Sequence, residues 1–563
     1  MIPFVLGVTG HRHLPSSDLA RVESAVRDRL TWLRQKMPHT PIIVVSAQAD
    51  GADRLVAKVA LQEGMEVWTV LPTVAEEYEK DFVTKESRAE FRQMLEASTR
   101  MLNASGLVGS SPDTAERPLI YVNAGNEICR LSHALLAIWD GHESDRPGGT
   151  ADVVALFRSG RFENSARAGL SFPDCGMVFH IQVGTDSTMS SRTEWRNHTL
   201  VPHLGDGEKP LLPGGEHALH DRFENGVSAL DGFNRRFKER EAKPDGAAKE
   251  VLPLKFPWRG DPVLTRWLTL FSTADANSYA AMKRRHRALK TVVILFALSM
   301  MATLLYGGLV SEGYWPLTLG LVLLGSAFLL YLWHRHCKDD EIWIGCRGLS
   351  EFLRVAISWR ACGAQEPIHH VIADEQILPV DWLGMAARWI DNEGRITLPH
   401  ESSKETAEAV ANHWISSQID YFSGTKDKIA HHGKQARKFG RTSAILIGLA
   451  LVVDVLTMIL DQVFSAQGRD LALQATAWTM YGYWALLSLA AVVAAYTGIM
   501  AHAEHESEYS HALVKFRIAR AGLPEASSLV ARHDLLIRLG KSALRETAGW
   551  VRLHLGRPLR LPF

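Results

Sequence analysis

The sequence predicts an α/β domain with a doubly wound parallel sheet, followed by an all-α transmembrane region with four helices and cytoplasmic stalk helices. In residues 1–184, short and fully apolar runs alternate with amphipathic helical segments, which is the pattern of a parallel sheet covered on both faces. In the second half, four nearly charge-free runs are each about 20 residues long, the length that a helix needs to cross hydrocarbon.

The composition limits the classes of function. The chain has 563 residues, enough for about three or four domains. Its 62 basic and 62 acidic residues balance, which argues against a nucleic-acid partner. Hydrophobic residues make up 46% and charged residues 22%, which excludes a disordered chain. The cysteines include no CxxC pair, which favours a reducing compartment over a disulfide scaffold: Cys129, Cys175, Cys337, Cys346 and Cys362. The first residues lack the features of a signal peptide, so we expect this domain in the cytosol.

The N-terminal elements follow from the apolar runs and from the residues that begin and end helices. The predicted strands are Phe4–Val8, Pro41–Ser46, Glu66–Leu71, His133–Trp139 and Met177–Val183. The predicted helices are Ser17–Gln35, Asp53–Gly64, Glu76–Ala97 in one or two pieces, Gly125–Ser132 and Thr150–Ser159. In parallel sheets of this kind, ligands bind at the carboxyl ends of the strands.

Three loops rich in small residues follow the predicted strands. They are Gly7–Arg12, Ser46–Asp53, and Trp139–Gly141 with its continuation Pro147–Thr150. Glycines allow a phosphate to approach the backbone, and the helix that follows supplies N–H groups and the positive end of its dipole. We therefore expect a phosphate-bearing ligand at this edge, with a set of ordinary turns as the alternative.

Individual side chains in these loops suggest specific roles. Arg12 is placed to pair with a phosphate, while Asp50 and Asp53 are expected to bind ribose hydroxyls. Thr150 is a candidate N-cap of the helix that it precedes. The same loops also contribute His11 and Asp140 as candidate ligand-binding residues.

The segments GVTGHR, SAQADGADRLVA and LLAIWDG, followed by PGGTADVV, together resemble the SLOG superfamily. Its members are Rossmann-like domains related to the DNA-processing protein and LOG families. The resemblance, which covers residues 1–184, implies binding of a nucleotide or a nucleotide derivative, and some members hydrolyse a nucleoside monophosphate at its glycosidic bond. It also implies that the nucleotide site is lined by Gly7, Thr9, Gly10, Ser46, Gly51, Asp53, Gly148, Gly149 and Thr150.

The third loop departs from the pattern of the hydrolases. LOG enzymes carry a longer PGGxGTxxE loop with a catalytic glutamate, whereas this chain reads PGGTADVV over residues 147–154. Asp152 and Asp140 are the catalytic candidates, and Asp50 and Asp53 are further carboxylates of the cleft. The missing glutamate favours ligand sensing over catalysis.

The four apolar runs form two predicted hairpins: Thr291–Val310 with Pro316–Trp333, and Ser443–Leu460 with Ala477–Met500. Lysines and arginines cluster on one side of both hairpins, which places both termini in the cytoplasm and the protein in the inner membrane. The predicted divisions are a domain 1–184, a linker or accessory region 185–280, a hairpin 281–340, a cytoplasmic segment 341–442, a hairpin 443–501 and cytoplasmic helices 502–563.

Asp454 lies ten residues into the third predicted span. A carboxylate at that depth faces a bundle interior or water, so it is either a pore residue or a packing residue bonded to a neighbour.

The membrane half, including RGLSEFLRVAISW, resembles SLATT modules. These accompany SLOG or nucleotide-synthesising domains in bacterial defence systems, and the resemblance implies perforation or depolarisation of the membrane. The leading hypothesis is therefore a membrane effector gated by a nucleotide-derived ligand, and the alternative is a membrane-anchored nucleotide N-glycosidase.

The expected partners are the ligand, the lipid bilayer and further copies of the chain, with no nucleic acid. No cofactor is expected. No metal site is expected either, because three histidine clusters lack zinc-ligand spacing: His334, His336 and Cys337; His369 and His370; His431 and His432.

Overall fold

The computed structural model describes residues 1–104, 117–142, 146–160, 176–184, 198–200, 215–240, 244–308, 314–364, 366–373, 381–397, 403–463 and 502–555, and the single positions 482, 487 and 490. Within these ranges, an N-terminal sheet with its helices is followed by a mostly helical C-terminal region.

The sheet confirms the predicted parallel architecture. Its strands are β1 (Phe4–Gly10), β2 (Ile42–Ser46), β3 (Glu66–Leu71), β4 (Arg100–Asn103), β5 (Ala134–Trp139), β6 (Met177–Gln182) and β7 (His198–Leu200). Their order is β4-β3-β2-β1-β5-β6-β7. The first six pair in parallel and β7 is antiparallel to β6. The chain leaves β1 towards one edge and returns to its other side at β5, so the strand order reverses between β1 and β5.

The helices of this domain are α1 (Leu19–Lys36), α2 (Ala52–Gln62), α3 (Ala75–Tyr78), α4 (Lys85–Ala97), α5 (Arg117–Leu131) and α6 (Thr150–Ser159). The segment predicted over residues 76–97 is indeed broken, because a short 3₁₀ helix and an extended turn separate α3 from α4. The prediction for α5 was too short, since the helix begins eight residues before Gly125.

The predicted linker or accessory region contains two helices, α7 (Gly215–Glu239) and α8 (Pro244–Val251). Helix α7 packs on the sheet domain. Asn234 accepts a hydrogen bond from Ile2 N at 3.0 Å and donates one to Ile2 O at 2.8 Å. Helix α7 therefore belongs to the core of the N-terminal half.

The C-terminal region is a helical assembly that continues the same hydrophobic core. Its helices are α9 (Pro262–Gly308), α10 (Trp315–Cys337), α11 (Asp339–Ala361), α12 (Ile368–Ala373), α13 (Trp382–Ile396), α14 (Lys404–Val463), α15 (His502–Gly522) and α16 (Leu529–Leu555). Glu351 and Arg354 pair on one face of α11, with Oε2 and Nε 3.2 Å apart. Trp359 of α11 packs on Gly540 of α16 and donates to Leu536 O at 2.9 Å.

Within the described residues, two helices are long and apolar enough to cross a membrane by length and composition: Pro262–Leu304 and Trp315–Ala361. The sequence had predicted four spans. The third falls within α14, which is not among these two candidates, and the fourth, Ala477–Met500, lies outside the described residues. The first predicted span is the C-terminal part of the 47-residue α9, so the helix that precedes it continues into it without a break.

Candidate ligand site at the carboxyl edge of the sheet

The three predicted loops lie at the carboxyl ends of β1, β2 and β5, and direct contacts join them. Gly10 pairs with Ile138 in the parallel ladder, and the next residue, His11, donates from its N–H to Ile138 O at 2.9 Å. The carbonyl of His11 accepts a hydrogen bond from Ala52 N at 3.1 Å. The loop after β1 is therefore bonded both to β5 and to the first residue of α2. This is the point of strand reversal at which such sheets bind ligands.

Two of the predicted glycines permit this close approach of backbone segments. Gly51 has φ +78°, and a Cβ there would lie 2.6 Å from both His11 O and the carbonyl carbon of Arg12. A Cβ on Gly10 would meet Ala52 and would lie 2.7 Å from Ile138 O. Gly7 is different, because it lies inside β1 and faces Ser132 and Ile128. Gly10 and Gly51 therefore allow the loops to come together.

The third loop is held by Asp152. Gly148 has φ +70°, and its N–H donates to Asp152 Oδ2 at 2.8 Å. The N-cap of α6 is Gly149, without a side-chain cap bond, so the prediction that Thr150 is the N-cap was wrong. Thr150 is the first helical residue, and the carboxylate that closes the turn comes from two residues further along. The resemblance to LOG enzymes made Asp152 a catalytic candidate. In the structure its carboxylate binds the Gly148 N–H and thereby holds the turn.

His11 and Asp140 form a pair between the loops after β1 and β5. Their Nε2 and Oδ1 atoms are 3.3 Å apart, and both side chains are about one-third exposed. His142 N donates to the same carboxylate oxygen at 3.0 Å. Burial acts to raise the pKa of Asp140, but the His142 N–H and the His11 imidazole outweigh it and hold the pKa below its ordinary value. Asp140 is therefore an ionised hydrogen-bond acceptor at neutral pH.

Asp50 is bound within the loop after β2. Its Oδ1 lies 2.8 Å from Arg54 Nη1 and it accepts a hydrogen bond from Ser87 Oγ. The Arg54 side chain is almost completely buried, and it also contacts Glu90 and the carbonyl of Gln48. This network fixes the loop, and Asp50 remains partly exposed at its surface.

Asp53 is the most perturbed carboxyl of the site. It is buried, and this burial raises its pKa to about 7, although the N–H groups of Ala49 and Ala47 and the hydroxyl of Ser46 act to lower it. Ala49 N lies 3.4 Å from Asp53 Oδ2. A carboxyl that titrates near neutral pH in such a cleft marks a candidate functional position.

Gln48, in the same loop, was missed by the sequence reasoning. It is fully buried and has φ +57°, a conformation that costs free energy for a non-glycine residue. Neither atom of its side-chain amide has a hydrogen-bond partner among the described residues. An unsatisfied buried amide is costly, so the conformation of this loop is strained where two of the predicted ligand residues lie.

Tyr121 of α5 was also missed, and it links the first and third loops. The Arg12 guanidinium lies over its ring, 5.4 Å from the centroid. A Cβ on Gly148 would lie 2.8 Å from Tyr121 Cβ, and the Tyr121 hydroxyl donates to Asp81. Arg117, one turn earlier, also binds Asp81 at 2.7 Å. The spacing of residues in sequence gave no sign of this arrangement, because α5 reaches the edge from a different part of the chain.

Among the described residues, no group of three or more His, Cys, Asp or Glu side chains is arranged to hold a metal ion. His369 Nδ1 contacts Asp391, and His334 lies near Asp339 and Asp340. The side chain of Asp454, the predicted pore residue, lies outside the part of the chain that the structure describes.

In comparisons with known proteins, no family model, no curated protein and no solved structure matches this chain. The site must therefore be interpreted from its own chemistry.

Proposed function

We propose that the chain is a membrane-associated sensor in which a nucleotide-derived ligand binds at the carboxyl edge of the sheet and gates or assembles the membrane part. The observation that carries the proposal is the convergence of three loops at the strand reversal, where His11 is bonded to both neighbouring segments. Arg12 supplies a positive charge there, and α2 and α6 begin at the same edge.

A continuous set of contacts supports transmission from this edge to the membrane half. Helix α5 touches the ligand loops through Tyr121, and its Glu127 binds Arg395 of α13. Two residues earlier on α13, Glu393 accepts a hydrogen bond from Trp267 Nε1 at 2.9 Å and contacts Arg266. Both of these residues lie on α9, the helix that continues into the first predicted span. A ligand that favours one position of α5 would thereby bias α9.

The rest of the proposal follows the sequence resemblances. A SLOG-like sensor joined to SLATT-like membrane modules points to a bacterial defence effector that perforates or depolarises the inner membrane. The arrangement of basic residues supports cytoplasmic termini. The proposal keeps the four spans that the sequence predicts, and because a single four-helix bundle leaves little room for a pore, it includes a homo-oligomer with Asp454 as a residue of the ion path.

A membrane-anchored N-glycosidase is the second candidate, and one observation favours it. Asp53, with its pKa raised to about 7, is the kind of carboxyl that can exchange a proton at neutral pH. Against it, Asp50 and Asp152 are engaged in holding the loops.

The test is a thermal-shift screen of nucleotides with the purified protein, followed by mass spectrometry of the recovered ligand. Gly149→Glu should abolish stabilisation because it places a charged side chain at the edge, and Gly10→Glu should do so because its side chain would meet Ala52 and Ile138 and force the loops apart. Gly246→Glu is the matched control, since that glycine lies in α8 with open space around it. An intact recovered ligand supports sensing, loss of its base supports the glycosidase, and absence of any stabilisation contradicts both.

Transmission is tested separately with Glu393→Gln. This change should leave ligand binding intact and abolish ligand-dependent leakage from liposomes, because it weakens the contact between α13 and α9. The control is Glu96→Gln, at an exposed position on α4. Equal leakage from both variants would contradict this route of transmission.

A further inference from the structure

A cleft of about 450 Å³ lies where the sheet domain meets the helical half. Helix α5 contributes Arg130, at the opposite end of the helix from Tyr121. The remaining walls come from α9, α11, α12, α13 and the segment before α12. Its volume is in the range of small-molecule sites. It is separate from the carboxyl edge of the sheet, and the motifs in the sequence did not indicate it.

The cleft combines buried apolar side chains with partly exposed basic ones, and its buried basic residue, Arg360, is paired with Asp261. Trp267, Trp359 and Ile390 are almost completely buried and form an apolar floor. Arg130 and Arg395 are 28% and 41% exposed at the mouth, and both of them contact the same carboxylate, Glu127. The aromatic floor is suited to a planar ring, and guanidinium groups at the mouth are suited to an anion.

The acidic side chains of the described lining are already bound within the protein. Asp391 accepts hydrogen bonds from the backbone N–H groups of Ile368 and His369, each at 2.8 Å, and it contacts the His369 ring. Glu366 is paired with Lys541 of α16. Because both carboxylates are already paired, neither presents an uncompensated negative charge to an anion at the mouth.

We propose that this cleft binds a small organic anion with a planar ring and a terminal phosphate or carboxylate. The ring lies against the indoles of Trp267 and Trp359, and the anionic group pairs with Arg130 and Arg395. Because the walls come from both halves of the chain, the bound anion stabilises the docking of α5 on α13. The cleft is thus a second ligand site, independent of the sheet edge.

The probes are three compounds with one ring system: 2-naphthyl phosphate, 2-naphthoate and neutral 2-naphthol. Equilibrium dialysis against the purified full chain measures their affinity. We expect one anionic probe per chain to bind at least about tenfold more tightly than naphthol, as for charge-assisted hydrogen bonds. The stronger of the two anions identifies the head group. Equal affinity for all three probes would overturn the proposal.

Variants locate the binding. Arg395→Gln should weaken the anion about tenfold while leaving Glu127 paired with Arg130. Arg235→Gln, at an exposed position on α7, is the matched control and should bind as the wild type does. Ala364→Phe fills the cleft without removing an ion pair and should abolish binding.

The sheet edge is distinguished in the same experiment. Gly149→Glu should leave binding of the naphthyl probes unchanged even though it blocks the edge of the sheet. Loss of probe binding in Gly149→Glu, or full binding in Ala364→Phe, would place the probe elsewhere and overturn the inference. If Ala364→Phe does not fold, the comparison of Arg395→Gln with Arg235→Gln decides the outcome.

Discussion

The ionisation of Asp53 makes the stability of the sheet domain depend on pH. Burial raises the pKa of this carboxyl from 3.8 to about 7 in the folded protein, against the weaker lowering effect of nearby N–H groups. The folded state therefore holds the proton more tightly than the unfolded chain. Protonation of Asp53 therefore stabilises the folded state relative to the unfolded chain. This contribution is fully present below about pH 4 and is lost as the pH rises towards 7.

The size of the effect follows from these two values. Each unit of difference corresponds to about 1.4 kcal/mol, so the complete loss is on the order of 4 kcal/mol, of which roughly 3 falls between pH 5 and pH 8. Asp53→Asn removes the titration but keeps the size of the side chain and an oxygen that accepts from Ala49 N. The melting temperature of Asp53→Asn should therefore rise relative to wild type by roughly 5–10 °C across this pH range.

The assay is thermal unfolding of the two purified proteins at steps of pH from about 5 to about 8. Asp28→Asn, at an exposed position on α1, is the control and should follow the wild type at every pH. If the difference in melting temperature between wild type and Asp53→Asn stays constant over this range, the folded pKa of Asp53 is not raised and the reasoning fails.

Three further predictions concern the hairpin, the cysteines and the third loop. Gly320→Leu should separate α9 from α10, because a Cβ there would lie 2.9 Å from the Thr303 hydroxyl, whereas Gly325→Leu meets open space; cross-linking of the hairpin compares the two. A maleimide should label Cys337 in the native protein before Cys129, which is buried and whose pKa is raised by this burial; peptide mass spectrometry reads the order. Asp152→Ala should lower the melting temperature by the equivalent of about 1 kcal/mol, since it removes the acceptor of a loop N–H, and an unchanged melting temperature would contradict that structural role.

The strands that the sequence predicted are those with uninterrupted apolar runs. Strands β1, β2 and β5 are buried along almost their whole length, so nearly all of their residues are apolar and the signal was strong. Strand β4 is at the edge of the sheet, alternates between exposed and half-buried residues and begins with Arg100, so its composition resembles that of a loop. Edge strands give weak periodicity because only part of their surface is covered.

The candidate site was predictable only where its residues lie in the loops themselves. The positions after β1, β2 and β5 follow from strand topology, and the contacts of His11 with its neighbours agree with it. The roles within the loops depend on tertiary partners, which is why Tyr121 was missed and Thr150 was misassigned. Gln48 stood in the quoted loop motif, but its burial and its unsatisfied amide are visible only in three dimensions.

The contacts of the carboxylates also help to distinguish ligand sensing from catalysis. Asp50, Asp140 and Asp152 each hold another part of the edge in place, through Arg54, His11 and a loop N–H respectively. A ligand that competes for the contact of Asp140 or Asp152 releases a loop that α5 touches through Tyr121. On the proposed function, binding energy at this edge would be coupled to the position of α5, a helix that contacts α13, rather than concentrated on one reacting bond. We expect variants of these three residues to change ligand affinity and leakage together, whereas a catalytic carboxylate would change turnover with little effect on binding.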